Sequence, residues 1–264
     1  MKNLLITGAT GDIAREIAKQ VQGYRLILLS RDVSSLKDIS EHLYQVNLTD
    51  EKALIATCQQ ISQDFGAIDV LINNAGYGYF KPFLTDTTSD VRQMFDVNVL
   101  ALMTVTRAFL PDMIAQKSGQ IINIASIASY MATSKTTAYA ATKFAVRGFS
   151  DALRQEVADA NIKVLVVNTG PVLTKFHAAN PDYLKKVGKN AVTATFVAKK
   201  IVAHLQTSKR ELNLPWQLNL ARIFAINFPN VVDKITRRYF NIKRSHLPMI
   251  GKSIRMNRQK TLSS

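Results

Sequence analysis

The stretch NLLITGATGDIAREIAKQVQ, residues 3–22, decides how the chain begins to fold. An apolar run at 3–7 leads directly into a glycine-rich turn, and an amphipathic helical pattern follows the turn. Gly8 suits a tight turn, Gly11 lets a ligand approach the backbone, and the small Ala14 lets the helix pack close to the strand. Amide groups at the start of such a helix face an anion. The stretch is therefore either a dinucleotide phosphate cradle or a plain strand-to-helix turn, and both interpretations stay open at this point.

The same alternation of strand and helix patterns continues to about residue 214. Continuous apolar runs indicate strands that are buried on both faces, and longer amphipathic stretches separate them. The predicted strands are 3–7, 25–30, 68–73, 120–125, 162–168 and 210–214, and the predicted helices are 12–22, 50–65, 88–116, 138–160 and 193–207. Because crossover helices must cover both faces of a parallel sheet, the pattern predicts a doubly wound α/β fold of about seven strands, with residues 1–214 as one domain.

The bulk composition narrows the class of protein. The chain has 264 residues, 47% of them hydrophobic, which is enough to bury a sizeable core. Its single cysteine, Cys58, excludes an intrachain disulfide and suits a reducing compartment, so we expect the cytoplasm. The apolar run at the N-terminus is too short for a secretory signal. The sequence contains no run of 18 or more apolar residues, so we expect no transmembrane helix. Any membrane contact is then expected to be peripheral.

The end of the second predicted strand tests the cradle interpretation. In dinucleotide-binding folds this strand end meets the adenosine ribose, where an acid favours a free 2′-hydroxyl and an arginine favours a 2′-phosphate. Here the strand ends at Ser30, Arg31 follows, and Asp32 lies beyond the arginine. A guanidinium binds phosphate with a fork of donors, so the sequence predicts NADP(H). The alternative is a solvated loop arginine.

A tyrosine and a lysine at helical spacing supply candidate chemistry. Tyr139 and Lys143 in AYAATKFAV lie four residues apart, on one face of a predicted helix. Ser126 follows the strand at 120–125, at the carboxyl end where open sheets bind ligands. The pKa of a free tyrosine is about 10, and a nearby ammonium lowers it by stabilising the phenolate. The pair alone is more often an ordinary helix pair, but with Ser126 it predicts a site for proton transfer.

In this order and at these spacings, the motifs resemble the short-chain dehydrogenase/reductase family. Besides the glycine loop and Y-x-x-x-K, the chain has NNAG at 73–76, Asn98 within FDVNVLALM, and NTGPVLT at 168–174. The resemblance covers the whole predicted α/β domain. It implies an oxidoreductase that transfers a hydride between NADPH and a carbonyl or alcohol substrate. It also implies a homodimer through the helices at 98–117 and 139–158.

The resemblance gives roles to four residues and a set of cofactor contacts. Tyr139 would protonate the carbonyl oxygen, or act as base in the reverse direction, and Ser126 would hydrogen-bond that oxygen. Lys143 would lower the pKa of the tyrosine and hold the nicotinamide ribose, while Asn98 would position a water. The residues expected to contact NADP(H) are Gly8, Thr10, Gly11, Asp12, Ile13, Ser30, Arg31, Asn47, Leu48, Asn74, Ala75, Gly76, Tyr139, Lys143, Val172 and Thr174. No metal is expected.

Some positions depart from the family pattern. Asp12 and Ala14 stand where many members have glycines, and Asp12 is expected to cap the helix. Asn47 replaces an aspartate, and Thr169 replaces a proline. We expect altered loop contacts with cofactor binding retained. Residues 175–190 are expected to form a lid over the substrate.

Residues 215–264 lie outside the resemblance and carry much of the charge. The net charge of the chain is +15, and residues 230–264 hold nine basic residues against Asp233, a contribution of +8. The segment predicts two amphipathic helices separated at Pro229. Three hypotheses account for it: a cap over the cleft or an oligomer contact, peripheral attachment to an anionic membrane, and nucleic-acid binding, which no recognisable module supports. The extension also keeps a second function open, a non-catalytic NADP-binding sensor or membrane-peripheral interaction protein.

Overall fold

The structure, a computed structural model, describes residues 1–177, 188 and 191–240, and these form layers of helices on both faces of a parallel sheet. The strands are β1 (Lys2–Thr7), β2 (Tyr24–Ser30), β3 (His42–Gln45), β4 (Val70–Asn73), β5 (Gly119–Ile124), β6 (Ile162–Thr169), β7 (Val172–Leu173), β8 (Val192–Thr193) and β9 (Glu211–Leu214). The helices are α1 (Asp12–Gln20), α2 (Glu51–Phe65), α3 (Thr88–Phe95), α4 (Ala101–Ala115), α5 (Thr137–Glu156), α6 (Ala194–Val202), α7 (Leu218–Asn227) and α8 (Pro229–Phe240).

The main sheet confirms the predicted doubly wound architecture. Seven strands pair in parallel in the order β3-β2-β1-β4-β5-β6-β9. The chain moves outward from β1 to β3 and then returns to the other side of β1 with β4. The loops that follow β1 and β4 therefore diverge, and the crevice between them is where open α/β sheets bind ligands.

Alternate strand residues feed two cores, one on each face of the sheet. Leu4 and Ile6 of β1 face a core that is shared with α1 and α6. Leu5, between them, faces the opposite core with α2, α4 and α5. Because side chains alternate along a strand, a run of consecutive apolar residues is what a sheet covered on both faces requires.

The third strand is missing from the six predicted apolar runs. The segment His42–Gln45 pairs with β2 at the edge of the sheet, and its side chains are half-buried or exposed. His42 and Tyr44 pack edge-on against Phe65 of α2. An edge strand with one covered face lacks the continuous apolar run that marks the central strands, and its pattern in the sequence is correspondingly weak.

Three predicted helix ends were wrong, because the chain turns earlier than the apolar pattern stops. The first helix ends at Gln20 instead of 22, where Val21 is already extended. Helix α5 ends at Glu156 instead of 160, and a short 3₁₀ turn leads to Asn161 in the left-handed region. Helix α6 ends at Val202 instead of 207. Residues of the turn after each helix also pack into the cores, so the apolar pattern extends beyond the last helical residue.

The predicted helix over 88–116 is interrupted by a π turn. The stretch Asp96–Leu100 joins α3 to α4, and the Ala101 N–H donates to the Asp96 carbonyl, five residues back. In the described chain, Thr88–Ala115 is long and apolar enough to span a membrane by length and hydropathy alone. Phe109 and Met113 of this segment are fully buried under the sheet, so here it serves as a core helix.

The C-terminal extension forms the two expected helices, separated at Pro229. Helix α7 is held by Arg222, which pairs with Glu211 of β9 at 2.8 Å. The Asn219 side chain accepts a hydrogen bond from that of Asn213 at 2.7 Å. The placement of a domain boundary at residue 214 stays a prediction.

Candidate functional site

The glycine loop is locked against the loop that follows β4. Gly8 has a φ of +64°, and a Cβ at this position would lie 2.7 Å from the Ala75 Cα. Both the left-handed backbone and the close approach exclude any other residue. Asn74 donates its side-chain amide to the carbonyls of Thr7 and Gly8 at 3.2 and 3.0 Å. The two loops at the crevice are therefore packed against each other and joined by hydrogen bonds.

Asp12 does not cap α1, so that expectation was wrong. Gly11 occupies the N-cap position, and Asp12 is the first residue of the helix. A capping side chain must come from the residue before the first helical turn, where it can reach the free amides. The Asp12 carboxylate instead accepts a hydrogen bond from the Lys175 backbone N–H at 2.7 Å. It connects the start of α1 to the segment after β7.

A cavity of about 560 Å³ opens at the carboxyl ends of β1, β2 and β4. Ten of the sequence-predicted cofactor residues line it: Gly8, Thr10, Gly11, Ser30, Arg31, Asn47, Leu48, Asn74, Ala75 and Gly76. None of the residues that line this cavity carries a carboxylate. The carboxylate of Asp32 accepts a hydrogen bond from the Ser34 N–H within its own turn. At the end of β2, the charged residue that lines this cavity is therefore Arg31. We call it the larger cavity, to distinguish it from a smaller one beside it.

A smaller cavity of about 110 Å³ adjoins the larger one and shares Asn74 and Gly76 with it. It brings together the predicted residues Ile13, Ser126, Tyr139, Lys143, Val172 and Thr174. Helix α5 supplies the tyrosine and lysine, while the serine follows β5. Among the predicted site residues, only Asp12 and Asn98 line neither cavity.

Lys143 is buried at the floor of the smaller cavity. Its Nζ donates to the Ile124 carbonyl at the end of β5, at 3.0 Å, and lies 5.7 Å from the centre of the Tyr139 ring. Burial lowers the pKa of Lys143 to about 8. The ammonium is therefore still the predominant form at neutral pH, but it titrates far more easily than a surface lysine.

The Tyr139 ring is fixed by packing that the sequence patterns did not reveal. A Cβ at Gly78 would lie 2.5 Å from its Cδ2 atom, so the backbone at 78 rests directly on the ring. The rings of Phe80 and Phe176 lie 5.7 and 5.8 Å from it, centre to centre. The aromatic run YGYF at 77–80, directly after NNAG, is the signal in the sequence for Gly78 and Phe80. Phe176 belongs to the segment 175–190 that is expected to form the lid, and most of that segment lies outside the described residues.

Ser126 and Asn98 are each held by hydrogen bonds to neighbouring parts of the chain. The Ser126 hydroxyl accepts from the Ala128 N–H at 3.2 Å and donates to the Thr169 carbonyl at 3.4 Å. Asn98 lies in the π turn, and its side-chain amide donates to the Tyr77 carbonyl and the Thr142 hydroxyl. Its side-chain oxygen accepts from the Tyr77 N–H at 2.9 Å. Asn98 thus fixes the loop after β4 to helix α5.

Other residues of the larger cavity were also missed from the sequence. Thr49, Tyr77, Tyr79, Gln93 and Val97 complete its lining. The Tyr77 hydroxyl is buried and has no hydrogen-bond partner in the described part of the chain, and burial raises its pKa to about 12.

Comparison with known proteins identifies relatives. A family model described as short chain dehydrogenase matches residues 2–184. Dehydrogenase/reductase SDR family member 7B of Mus musculus is 36% identical over 187 residues, which covers 65% of this chain and 58% of the mouse protein. An NADP-dependent 3-hydroxy acid dehydrogenase of Schizosaccharomyces pombe is 35% identical over 190 residues, which covers 66% of this chain and 73% of the yeast protein.

A solved structure agrees with these matches. A short-chain dehydrogenase from Streptomyces avermitilis superimposes with a TM-score of 0.74 at 26% identity, over 89% of this chain and 98% of that one. The chain nevertheless spans less than two thirds of the length of several curated relatives, the mouse protein among them.

Proposed function

Because the chain belongs to the short-chain dehydrogenase/reductase family, we propose that it is an NADP(H)-dependent oxidoreductase that interconverts a carbonyl compound and its alcohol. The observation that carries the proposal is the meeting of Ser126, Tyr139 and Lys143 in one cavity, next to the cavity at the glycine loop. A proton donor, a hydrogen-bond donor and a cation then face the same space. This is what reduction of a carbonyl group requires.

The larger cavity fits a dinucleotide. Its volume of about 560 Å³ lies within the range of cofactor pockets. At Gly8 a side chain would fill the space where the two loops meet, so the backbone itself forms the cradle. Arg31 and the absence of a carboxylate in the lining favour a 2′-phosphate, in agreement with the NADP dependence in the name of the yeast relative. When bound, NADP(H) supplies or accepts the hydride.

The residues of the smaller cavity then move and hold the proton. Tyr139 donates its phenolic proton to the carbonyl oxygen during reduction and takes it back from the alcohol in the other direction. Ser126 donates a hydrogen bond to the same oxygen and stabilises its developing charge. Lys143, which is predominantly charged at neutral pH, stabilises the phenolate. Both reaction directions use the same three side chains.

Aromatic rings form the walls around the reacting oxygen. Phe80 and Phe176 line the smaller cavity together with Val172 and Pro171. Such walls exclude water and favour substrates with an apolar body beside the carbonyl group. We therefore propose ketones, aldehydes and oxo acids whose body beside the carbonyl group is apolar as the first substrates to test.

The decisive experiment measures turnover by the purified full chain and by Tyr139→Phe. A panel of ketones, aldehydes and oxo acids is supplied with NADPH, and nicotinamide absorbance reports the reaction. We expect turnover of at least one compound and a loss of about 100- to 10,000-fold in Tyr139→Phe, the usual contribution of a general acid. NADPH affinity should stay within a few-fold, because the ring remains.

Two results would contradict the proposal. Turnover that is unchanged in Tyr139→Phe would remove its role as the acid. NADPH binding without turnover of any compound on the panel would favour the non-catalytic alternative, an NADP-binding sensor.

A further inference from the structure

An exposed apolar surface runs along α7 and α8. We call it the apolar face, and it consists of Trp216, Leu220, Ile223, Phe224, Phe228, Val231 and Ile235, each of which is at least 43% exposed. Spacings of three and four residues place Leu220, Ile223 and Phe224 on one side of α7, and a spacing of four places Val231 and Ile235 on one side of α8. Trp216 and Phe228 lie just before and just after α7. A continuous surface of large apolar side chains on a folded protein marks a contact with a partner or a membrane.

On its other side, α7 contacts the end of the sheet at β9, and α8 packs on α7. Arg222 binds Glu211 of β9, and Val232 and Thr236 of α8 are buried. Helix α7 also begins beside the smaller cavity, since the Leu218 Cδ1 atom lies 3.5 Å from the place of a Cβ at Gly170. These contacts fix the orientation of the helices, so the apolar face is the side that the fold turns outward.

Basic residues lie beside the apolar face and continue after it. Lys234, Arg237 and Arg238 of α8 are exposed and lie within three residues of Ile235 in the sequence. Between residues 216 and 264 the sequence contains one acid, Asp233. Six further basic residues follow α8: Lys243, Arg244, Lys252, Arg255, Arg258 and Lys260.

We propose that the apolar face and its flanking basic residues bind an anionic lipid surface. Apolar side chains with a tryptophan, flanked by lysine and arginine, are what an amphipathic helix needs to lie in a membrane interface. The apolar residues enter the interface, and the basic residues bind anionic headgroups.

Two other partners fit these observations less well. A second copy of the chain, docked through the same face about a two-fold axis, would bring equal sets of basic residues together. A nucleic acid would use the charge but leave the seven large apolar side chains in water. A lipid surface satisfies both the apolar and the charged groups.

The chain carries its own reporter for the test. Trp216 is the single tryptophan in the sequence and is 64% exposed. Purified full chain is mixed with vesicles of phosphatidylcholine alone, or of phosphatidylcholine with phosphatidylglycerol, with and without brominated acyl chains. We expect a blue shift of the emission and bromine quenching only with the anionic vesicles, both weakened by salt. An unchanged Trp216 spectrum with anionic vesicles would overturn the proposal without recourse to any variant.

A matched pair of variants locates the contact. Phe224→Ser with Ile235→Ser removes two members of the apolar face, and Phe196→Ser with Ile55→Ser removes two exposed residues of the same types from α6 and α2. In co-sedimentation we expect the first pair to lower the vesicle-bound fraction at least tenfold and the second pair to leave it nearly unchanged. Circular dichroism and NADPH binding verify that both are folded.

Three outcomes would overturn the lipid assignment. The first is equal vesicle binding by the two double variants. The second is a wild-type dimer, seen by analytical ultracentrifugation, that Phe224→Ser with Ile235→Ser dissociates while vesicle binding is absent, which would identify a second copy as the partner. The third is salt-sensitive binding to duplex DNA without binding to anionic vesicles.

Discussion

Replacement of Gly78 by alanine tests whether the packing around Tyr139 sets its reactivity. Gly78 follows the NNAG motif, and its backbone rests on the Tyr139 ring. The added Cβ would lie 2.5 Å from the ring Cδ2 atom, whereas ordinary carbon contacts are about 3.5 Å. The ring or the loop must therefore shift by about 1 Å.

The expected magnitude follows from what holds the ring. Phe80 and Phe176 pack against Tyr139, so the ring cannot shift toward either of them without a clash. Misplacement of a reacting group by about 1 Å can reduce a rate about 100-fold. Overpacking of this kind costs about 1–3 kcal/mol in stability. We expect kcat/KM to fall about 100-fold while the protein remains folded.

The assay compares kcat/KM, NADPH affinity and thermal unfolding for Gly78→Ala and Gly148→Ala. Gly148 lies exposed on α5, the helix that carries Tyr139, and a Cβ there meets no atom within 4 Å. Alanine at this helical position should stabilise the fold by up to about 1 kcal/mol and leave kcat/KM unchanged. NADPH affinity should stay within about threefold in both variants, because neither glycine lines the larger cavity.

One result would refute this reasoning. If Gly78→Ala is folded and keeps kcat/KM within about threefold of wild type, the position of the Tyr139 ring does not limit the reaction. The ring would then either move freely or take no part in proton transfer.

Three further predictions concern the charged residues of the site. The pKa of Lys143 is about 8 in the folded chain against 10.5 as the unperturbed value, so the unfolded state holds more protons between these limits. The free energy of unfolding of the wild type, measured relative to that of Lys143→Met, should therefore rise between about pH 8 and about pH 10. Urea unfolding that gives the same difference between the two proteins across this range would contradict the prediction. Arg31→Ala should weaken NADPH binding about tenfold or more, as expected for lost charge-assisted hydrogen bonds, and NADH binding little; equal losses in titrations of both cofactors would exclude a 2′-phosphate contact. Asp12→Ala should speed hydrogen exchange of the Lys175 amide roughly tenfold, whereas Asp12→Asn, which keeps an acceptor, should change it less. Identical exchange in all three proteins would show that the hydrogen bond adds no local stability.

Much of the fold was predictable because it depends on short-range patterns. The central strands were found from runs such as those around Leu5 and Leu71, which must be apolar on both faces. The edge strand around Tyr44 was missed because one of its faces meets solvent and its residues need no apolar run. Helix ends were predicted less well, because a turn such as the one at Asn161 depends on a few backbone angles that the apolar pattern does not encode.

The candidate site divides in the same way. Gly8, Arg31, Tyr139 and Lys143 stand in motifs whose spacing brings them to one edge of the sheet, and the structure places them there. Asp12 was assigned a local role as a helix cap, but its partner lies 163 residues away in the sequence. A contact of that kind has no signature in the residues next to Asp12.

The sequence by itself determined the layers of the fold, the order of the motifs and the edge of the sheet at which they meet. These follow from the periodicity of strands and helices and from the steric demands of single residues such as Gly8. Only the tertiary structure decided that Gly78 and Phe176 pack against the Tyr139 ring and that burial lowers the pKa of Lys143. It also decided which side of α7 and α8 faces outward. The physical reason is that packing, desolvation and exposure are set by atoms that meet in space from distant parts of the chain.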